Sequence, residues 1–131
     1  MICGIGVDIV HVRRMEKWRK NPGLPERFFH PDELAAAISR GTSAELSMAV
    51  RFAAKEAFGK ALGTGLKGIV LKDILVINHH NGQPGIVVFG TAKEAFEKSG
   101  ANKIHLSLTH ERDNAVAMVV LEYQSENQEG K

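Results

Sequence analysis

The chain has 131 residues, 44% hydrophobic and 24% charged, with 17 Lys and Arg against 15 Asp and Glu, a formal net charge of +2. That balance belongs to one globular domain and excludes a disordered polymer; the lone Cys3 excludes an intramolecular disulfide framework and a multi-cysteine zinc site. No apolar run approaches the roughly 20 residues that span a bilayer, and the N-terminus lacks a basic leader, so a cytoplasmic protein without a membrane partner is expected.

The opening segment MICGIGVDIV alternates Cys3, Ile5, Val7 and Ile9 with Gly4, Gly6 and Asp8. Period two predicts a strand with its apolar side buried, Cys3 a small buried side chain with no chemical role, and Asp8 on the glycine side beside approachable backbone. A helix over 12–20 follows, in which Arg13, Arg14, Lys17, Arg19 and Lys20 oppose only Glu16; such a cluster attracts an acidic partner. Asn21, Pro22 and Gly23 stop it. Pro31, Asp32 and Glu33 form a favourable first turn for the next helix, the acids lying at the positive end of its dipole. Gly41, Thr42 and Ser43 make a turn, and a long helix begins near Ala44.

Beyond Gly63 the pattern becomes that of strands: one over 68–78, a hairpin turn signalled by Asn81-Gly82, and one over 85–90. A short helix ends at Gly100. Two last strands over 103–110 and 114–123 are joined by a tight turn around Glu111, Arg112, Asp113 and Asn114. Helices grouped in the first half and hairpins in the second predict an α+β domain with a largely antiparallel sheet over 1–124, with 125–131 a frayed tail. There is no internal repeat or linker.

The long helix carries RFAAKEAFGKALG. At about 100° per residue, Ala53, Ala54, Ala57, Phe58, Ala61 and Leu62 share one face, and Phe52, Glu56, Gly59, Lys60 and Gly63 the other. Two glycines in a helix, each costing roughly 1 kcal/mol against alanine, imply that something bulky approaches there, a ligand or another segment of chain. Glu56 and Lys60 form an i,i+4 pair that elsewhere is only a surface ion pair. Asp8 either caps a nearby helix or holds a cation. In HLSLTHERDN, Ser107, Thr109 and His105 share a strand face and His110 begins the turn; the group can hold phosphate or ribose oxygens, or simply face solvent. His79 and His80 point to opposite faces and decorate a turn. Two carboxylates and a lysine suit Mg²⁺-assisted phosphoryl chemistry, since Mg²⁺ is held by one or two carboxylates plus substrate phosphates. The sequence has neither a GxxxxGK[ST] loop nor a GxGxxG fingerprint.

GIGVDIV, RFAAKEAFGKALGTGL and LSLTH, in this order and within this length, resemble the holo-acyl-carrier-protein synthases, the short trimeric class of 4′-phosphopantetheinyl transferases. The resemblance implies transfer of the phosphopantetheine arm of coenzyme A to a serine of apo acyl carrier protein in fatty acid biosynthesis, with release of adenosine 3′,5′-bisphosphate. It makes Asp8 and Glu56 the Mg²⁺ ligands and Lys60 the group that stabilises the pyrophosphate and protonates the leaving group. Arg51 would contact the nucleotide phosphates, and the helix face carrying Phe52 and Gly63 would form a wall of the coenzyme A site. Asn81, Gly82 and Pro84 would lie near the adenine. Ser107, Thr109 and His110 would meet the nucleotide from a neighbouring subunit of a homotrimer with its active sites at subunit interfaces. Arg14 would pair with acidic residues of the carrier, extended by Arg13, Lys17, Arg19, Lys20 and Arg27, with Trp18 or Met15 as the apolar centre; the alternative for Trp18 is packing against the chain's own core. His11 stands where many members have an acidic residue, which leaves the general base open among Glu56, Asp8 and a metal-bound water. A catalytically inactive carrier-binding domain and a basic nucleic-acid-binding module are the alternatives. With one Trp and one Tyr, the strands lack the interleaved aromatics of a base-stacking surface, so no nucleic-acid partner is expected.

Overall fold

The structure, a computed structural model, describes residues 1–125, so the expected tail lies, apart from Ser125, outside the described residues. Its longest element is helix α4 (Ala44–Leu62). Across it lies a three-stranded antiparallel sheet in the order β1 (Ile2–His11), β5 (Asn114–Glu122), β4 (Lys103–His110). A second antiparallel sheet pairs β2 (Ile74–Asn78) with β3 (Pro84–Val88). Three short helices, α1 (Val12–Arg19), α2 (Leu24–Phe28) and α3 (Pro31–Ile38), precede α4, and α5 (Gly90–Lys98) joins the two sheets. This is the α+β, antiparallel architecture expected from the order of the elements.

Helix α4 is not two-faced. Met48, Ala49, Phe52, Ala53, Ala54, Ala57, Phe58 and Ala61 are all buried, as are Arg51 and Lys55, so the helix runs through the centre of the molecule. Small residues let it do so. A Cβ at Gly4 would stand 1.9 Å from the carbonyl oxygen of Ala61, and one at Gly6 would stand 1.9 Å from that of Ala57. Strand β1 therefore touches the helix backbone through its glycines.

This contact reverses the face expected for β1. Gly4, Gly6, Asp8 and Val10 point inward, level with Ala115, Ala117, Val119 and Leu121 of β5, whereas Ile5, Val7 and Ile9 are 58%, 56% and 63% exposed. Cys3 is exposed as well, not buried. An isoleucine on the inner side would hold the strand off the helix, so the bulky apolar residues take the outer face.

The strand expected over 68–78 is shorter, beginning at Ile74 after a 3₁₀ turn at Leu71–Asp73. The cause is Lys55, fully buried, whose ammonium donates to the carbonyl oxygens of Leu71 (2.9 Å) and Ile74 and pairs with Glu33. The Glu33 carboxylate also accepts from the backbone N–H groups of His30 (2.8 Å) and Val76 (3.2 Å). One buried ion pair thus ties α3, α4 and β2 together, with its hydrogen-bonding capacity used on backbone, which is the condition under which a buried charge is tolerated. Asp73 turns away to accept from the N–H (2.8 Å) and hydroxyl (2.6 Å) of Thr91, closing the first turn of α5. The Asn81-Gly82 signal holds: a five-residue loop closes with His79 N–H donating to Gln83 O, and Gly82 has φ +85°.

Gly6→Ala is expected to push β1 and α4 apart and to lower the unfolding free energy by about 3 kcal/mol. Urea denaturation followed by circular dichroism measures this; an unchanged midpoint would mean that the strand is not seated on the helix through Gly6.

Candidate functional site

The seating of β1 on α4 brings the C-terminal part of the strand beside the C-terminal half of the helix. Lys60 Nζ donates to Asp8 Oδ1 at 2.8 Å and to the carbonyl oxygen of Val7 at 3.1 Å. The Asp8 side chain is 17% exposed and that of Lys60 53%, so the carboxylate is recessed and the ammonium stands at the rim. Glu56, one turn earlier on α4, is half-buried. Burial and the neighbouring charge of Asp8 push the Glu56 carboxyl above the usual carboxylate range, against the opposing pull of Arg14 and Lys60. The hydrogen bond and charge of Asp8 push the Lys60 ammonium up, keeping it protonated. Asp8, distant in sequence, joins Glu56 and Lys60 in one cluster.

On another face of α4, towards the β4 edge of the sheet, a cleft of about 300 Å³ is lined by Arg40, Ser43, Ser47, Arg51, Asn78 and His110, among others. Arg51 is buried; its Nη1 donates to Ser47 Oγ at 2.6 Å, while its Nε is buried without a hydrogen-bond partner. Burial lowers the Arg51 pKa, partly offset by the charge of Glu33. A buried guanidinium with a donor unused beside a polar cleft is suited to an anionic ligand. Arg51 and His110 line one cleft within the chain, whereas the resemblance has His110 reach the nucleotide from a neighbouring subunit. Asn81 and Gly82, exposed, and Pro84, half-buried, sit on the adjoining β2–β3 hairpin. Arg40, Ser43, Ser47 and Asn78 escaped the sequence reading; the first three recur with Arg51 at intervals of three or four, a helical spacing that polar residues alone do not reveal.

Ser107 and Thr109 are elsewhere. They are exposed on the outer face of β4, in register with Met118 and Val116 of β5, while Leu106 and Leu108 point inward. Phe52, expected on a ligand wall, is instead buried, its ring 4.8 Å from that of Trp18. Gly59 makes room for the chain's own loop: a Cβ there would lie 2.9 Å from Gly65 and Leu66, and Gly59 O accepts from Gly65 N–H. Gly63 ends α4 in the left-handed region at φ +84°, with open space where a Cβ would go. A left-handed helix terminus accounts for this glycine.

On the basic helix, Arg13, Arg14, Lys17 and Lys20 are exposed, and Arg27 on α2 likewise. His11, Arg13, Arg14 and Lys17 line a shallow concavity one turn beyond Asp8. Met15 is fully buried and cannot centre a docking surface. Trp18 is half-buried, packed on Phe28, Phe29 and Phe52, and Arg14 stacks over Phe52 (4.9 Å) and Trp18 (5.5 Å). The aromatic cluster therefore props up the arginine. Arg19 is bound to Glu45 at 2.8 Å. His11 Nδ1 accepts from the Arg13 N–H and caps α1.

The model of the 4′-phosphopantetheinyl transferase superfamily matches residues 4–119. A holo-[acyl-carrier-protein] synthase of Treponema denticola is 56% identical, over 93% of this chain and 99% of its own length. Among solved structures, the holo-[acyl-carrier-protein] synthase of Neisseria meningitidis superposes with a TM-score of 0.84 at 35% identity, over 93% of this chain and 99% of that one. That of Bacillus anthracis, in complex with coenzyme A (3′,5′-ADP), does so with a TM-score of 0.79 at 36% identity, over 95% and 99%.

The crowding of Asp8 and Glu56 has a thermodynamic sign. Because the folded pKa of Glu56 is raised, its cost to stability is absent below its unfolded pKa, grows as pH rises to the folded value, and stays constant above. In chelator, Glu56→Gln is expected to raise the urea midpoint near pH 7.5, with the gain fading towards about pH 4. Equal midpoints for the two proteins at both pH values would mean that ionised Glu56 carries no cost from burial and the charge of Asp8.

Proposed function

This chain belongs to the 4′-phosphopantetheinyl transferase superfamily, and from that premise we propose that it acts as a holo-acyl-carrier-protein synthase. It transfers the 4′-phosphopantetheine group of coenzyme A to a serine of apo acyl carrier protein. The observation that carries this reading is the Asp8–Lys60–Glu56 cluster, with a separate cleft of the same chain walled by a buried, incompletely satisfied arginine. The cluster offers two anions and a movable cation; the cleft offers a seat for phosphate oxygens.

In the reaction the serine Oγ bonds to the phosphorus that adjoins the pantetheine arm. The bond from that phosphorus to the bridging oxygen breaks, adenosine 3′,5′-bisphosphate leaves with the oxygen, and the serine proton passes to a carboxylate of the Asp8–Glu56 pair. Charge therefore grows on the leaving phosphate. Lys60, held protonated, neutralises that charge and is positioned to hand its proton to the departing oxygen. Arg51, with Arg40 and His110 in the cleft at the β4 edge of the sheet, offers a seat for the nucleotide phosphates of a coenzyme A shared with a neighbouring copy's cluster. Arg13, Arg14 and Lys17, beside the cluster, receive an acidic carrier and bring its serine in from the side of His11.

A divalent cation fits the donor set. Asp8 and Glu56 are two mutually repelling carboxylates, and among the described residues no group of three metal-ligating side chains forms a closed cage. That is the arrangement expected for Mg²⁺, which keeps waters and bridges to phosphates. Bound there, Mg²⁺ would supply charge neutralisation at the pyrophosphate.

The outer face of the three-stranded sheet supports a homotrimer. Ile5, Val7 and Ile9 of β1 lie in register with Val120, Met118 and Val116 of β5, an exposed apolar surface that continues into His105, Ser107 and Thr109 of β4. Packed against neighbouring copies, that face brings Ser107 and Thr109 to a neighbour's cleft, the role that their separation from Arg51 within one chain leaves open.

Intact-mass spectrometry of an apo carrier incubated with the protein, coenzyme A and Mg²⁺ is expected to show a gain of about 340 Da, the mass of one covalently attached arm. Chelator or Glu56→Gln should abolish the gain; no gain with wild type and several carriers would overturn the assignment. Val7→Glu, at an exposed position, should keep the fold but sediment as a monomer with much reduced transfer. An associated, fully active Val7→Glu protein would remove the outer face from the assembly.

A further inference from the structure

Lys60 is bonded to Oδ1 of the carboxylate on which a cation at Asp8 would sit. An ammonium at 2.8 Å from Oδ1 fills the space in front of it, and a hard divalent ion needs a carboxylate oxygen at about 2.0–2.1 Å. We propose that Lys60 is a resident cation that occupies Asp8 until a divalent metal displaces it, so that loading of the metal and release of the lysine head towards the phosphates are a single event. The inference rests on the reading of Asp8 and Glu56 as cation ligands and adds to it a competition within the chain.

The geometry favours exchange. The Lys60 side chain is 53% exposed and hangs on a flexible four-carbon stem, whereas Asp8 is recessed at 17%. An ion pair at such a rim is weakly held, so it can yield to a doubly charged ion. The second bond of Nζ, to the carbonyl oxygen of Val7, parks the ammonium against the strand. Glu56 has Arg14 and Lys60 as its nearby positive charges. With both carboxylates attended by side-chain cations, the metal-free protein avoids two unneutralised anions in one recess. Once displaced, the Lys60 head remains tethered one helical turn from Glu56, within reach of any phosphate that bridges to the metal.

The test is equilibrium binding of Mn²⁺, read from the electron paramagnetic resonance signal of the free ion, to wild type and to Lys60→Met, Lys60→Arg and Asp8→Asn. Lys60→Met is nearly isosteric and lies at the rim, so the variant should stay folded, its metal-free thermal melt lowered only by the small amount that an exposed ion pair contributes. It is expected to bind Mn²⁺ about tenfold more tightly, since the competing charge is gone. Lys60→Arg should bind no more tightly than wild type. In the Asp8→Asn background, Lys60→Met should give little gain, because there is no pair to break. Mn²⁺ affinity in Lys60→Met equal to or below that of wild type, absence of binding in both included, would overturn the proposal; so would equal tightening in Lys60→Arg. Transfer by wild type, measured separately on the carrier, separates the two ideas. Transfer without tightening in Lys60→Met removes the displacement alone, whereas tightening without transfer leaves the cation site and removes the transferase assignment.

Discussion

The structure depends on the absence of side chains at two positions. Gly4 and Gly6 let β1 rest on the carbonyl oxygens of Ala61 and Ala57, at a separation where no Cβ fits. Everything chemical follows from that distance. Asp8 and Lys60 are 52 residues apart in the chain, yet their side chains bond only because strand and helix backbones touch two residues earlier on the strand. Alanines at 53, 57 and 61 complete the fit from the helix side, so the helix is buried almost all round and its few charged residues must each have a destination. Lys55 goes into the core with Glu33, Arg51 to the wall of a cleft, and Glu56 and Lys60 to the rim.

These four charges illustrate how burial grades function. Lys55 spends its donors on Glu33 and two backbone carbonyls, and so is committed to architecture. Burial lowers its pKa against the pull of Glu33, the ordinary consequence of taking an ammonium out of water. Arg51 retains a donor that nothing in the chain satisfies. Lys60 retains mobility. The cations of this one helix thus pass from structural to ligand-directed as their exposure grows, from Lys55 through Arg51 to Lys60.

Much of this was legible in the sequence. The order of helices and hairpins gave the α+β class, the hairpin at Asn81-Gly82 was marked by its turn residues, and the i,i+4 pair Glu56–Lys60 with Asp8 on the glycine side of β1 marked the cluster. Three things were not legible, each for a steric or tertiary reason. Alternation identifies the two faces of a strand but not which one is inside, and at β1 close approach overrode hydrophobicity. The glycines of α4 signal a close approach without saying of what, ligand or chain; Gly59 serves the chain's own loop and Gly63 a left-handed helix end. Lys55, adjacent to Glu56, gave no sign of burial, because its partners, Glu33 and the carbonyls at 71 and 74, are brought together only by the fold. Trp18 and Met15 on the basic helix face inward for the same kind of reason: their apolar neighbours lie on α2 and α4.

The inverted strand β1 carries a conflict in its own pattern. Sliding it one residue along β5 would bury Ile5, Val7 and Ile9 and turn the glycines to water, an exchange that hydrophobicity alone would favour. The native register is kept by the helix, which tolerates no side chain at positions 4 and 6. A nascent chain in which α4 has not yet docked therefore lacks the discriminator, and its first strand is free to pair out of step or with the strand of another molecule. Covering the outer face would remove the conflict at its source, by giving the isoleucines a dry place that does not require displacing the glycines. Correct pairing of the first ten residues is then a property shared between the helix behind the sheet and whatever comes to lie in front of it.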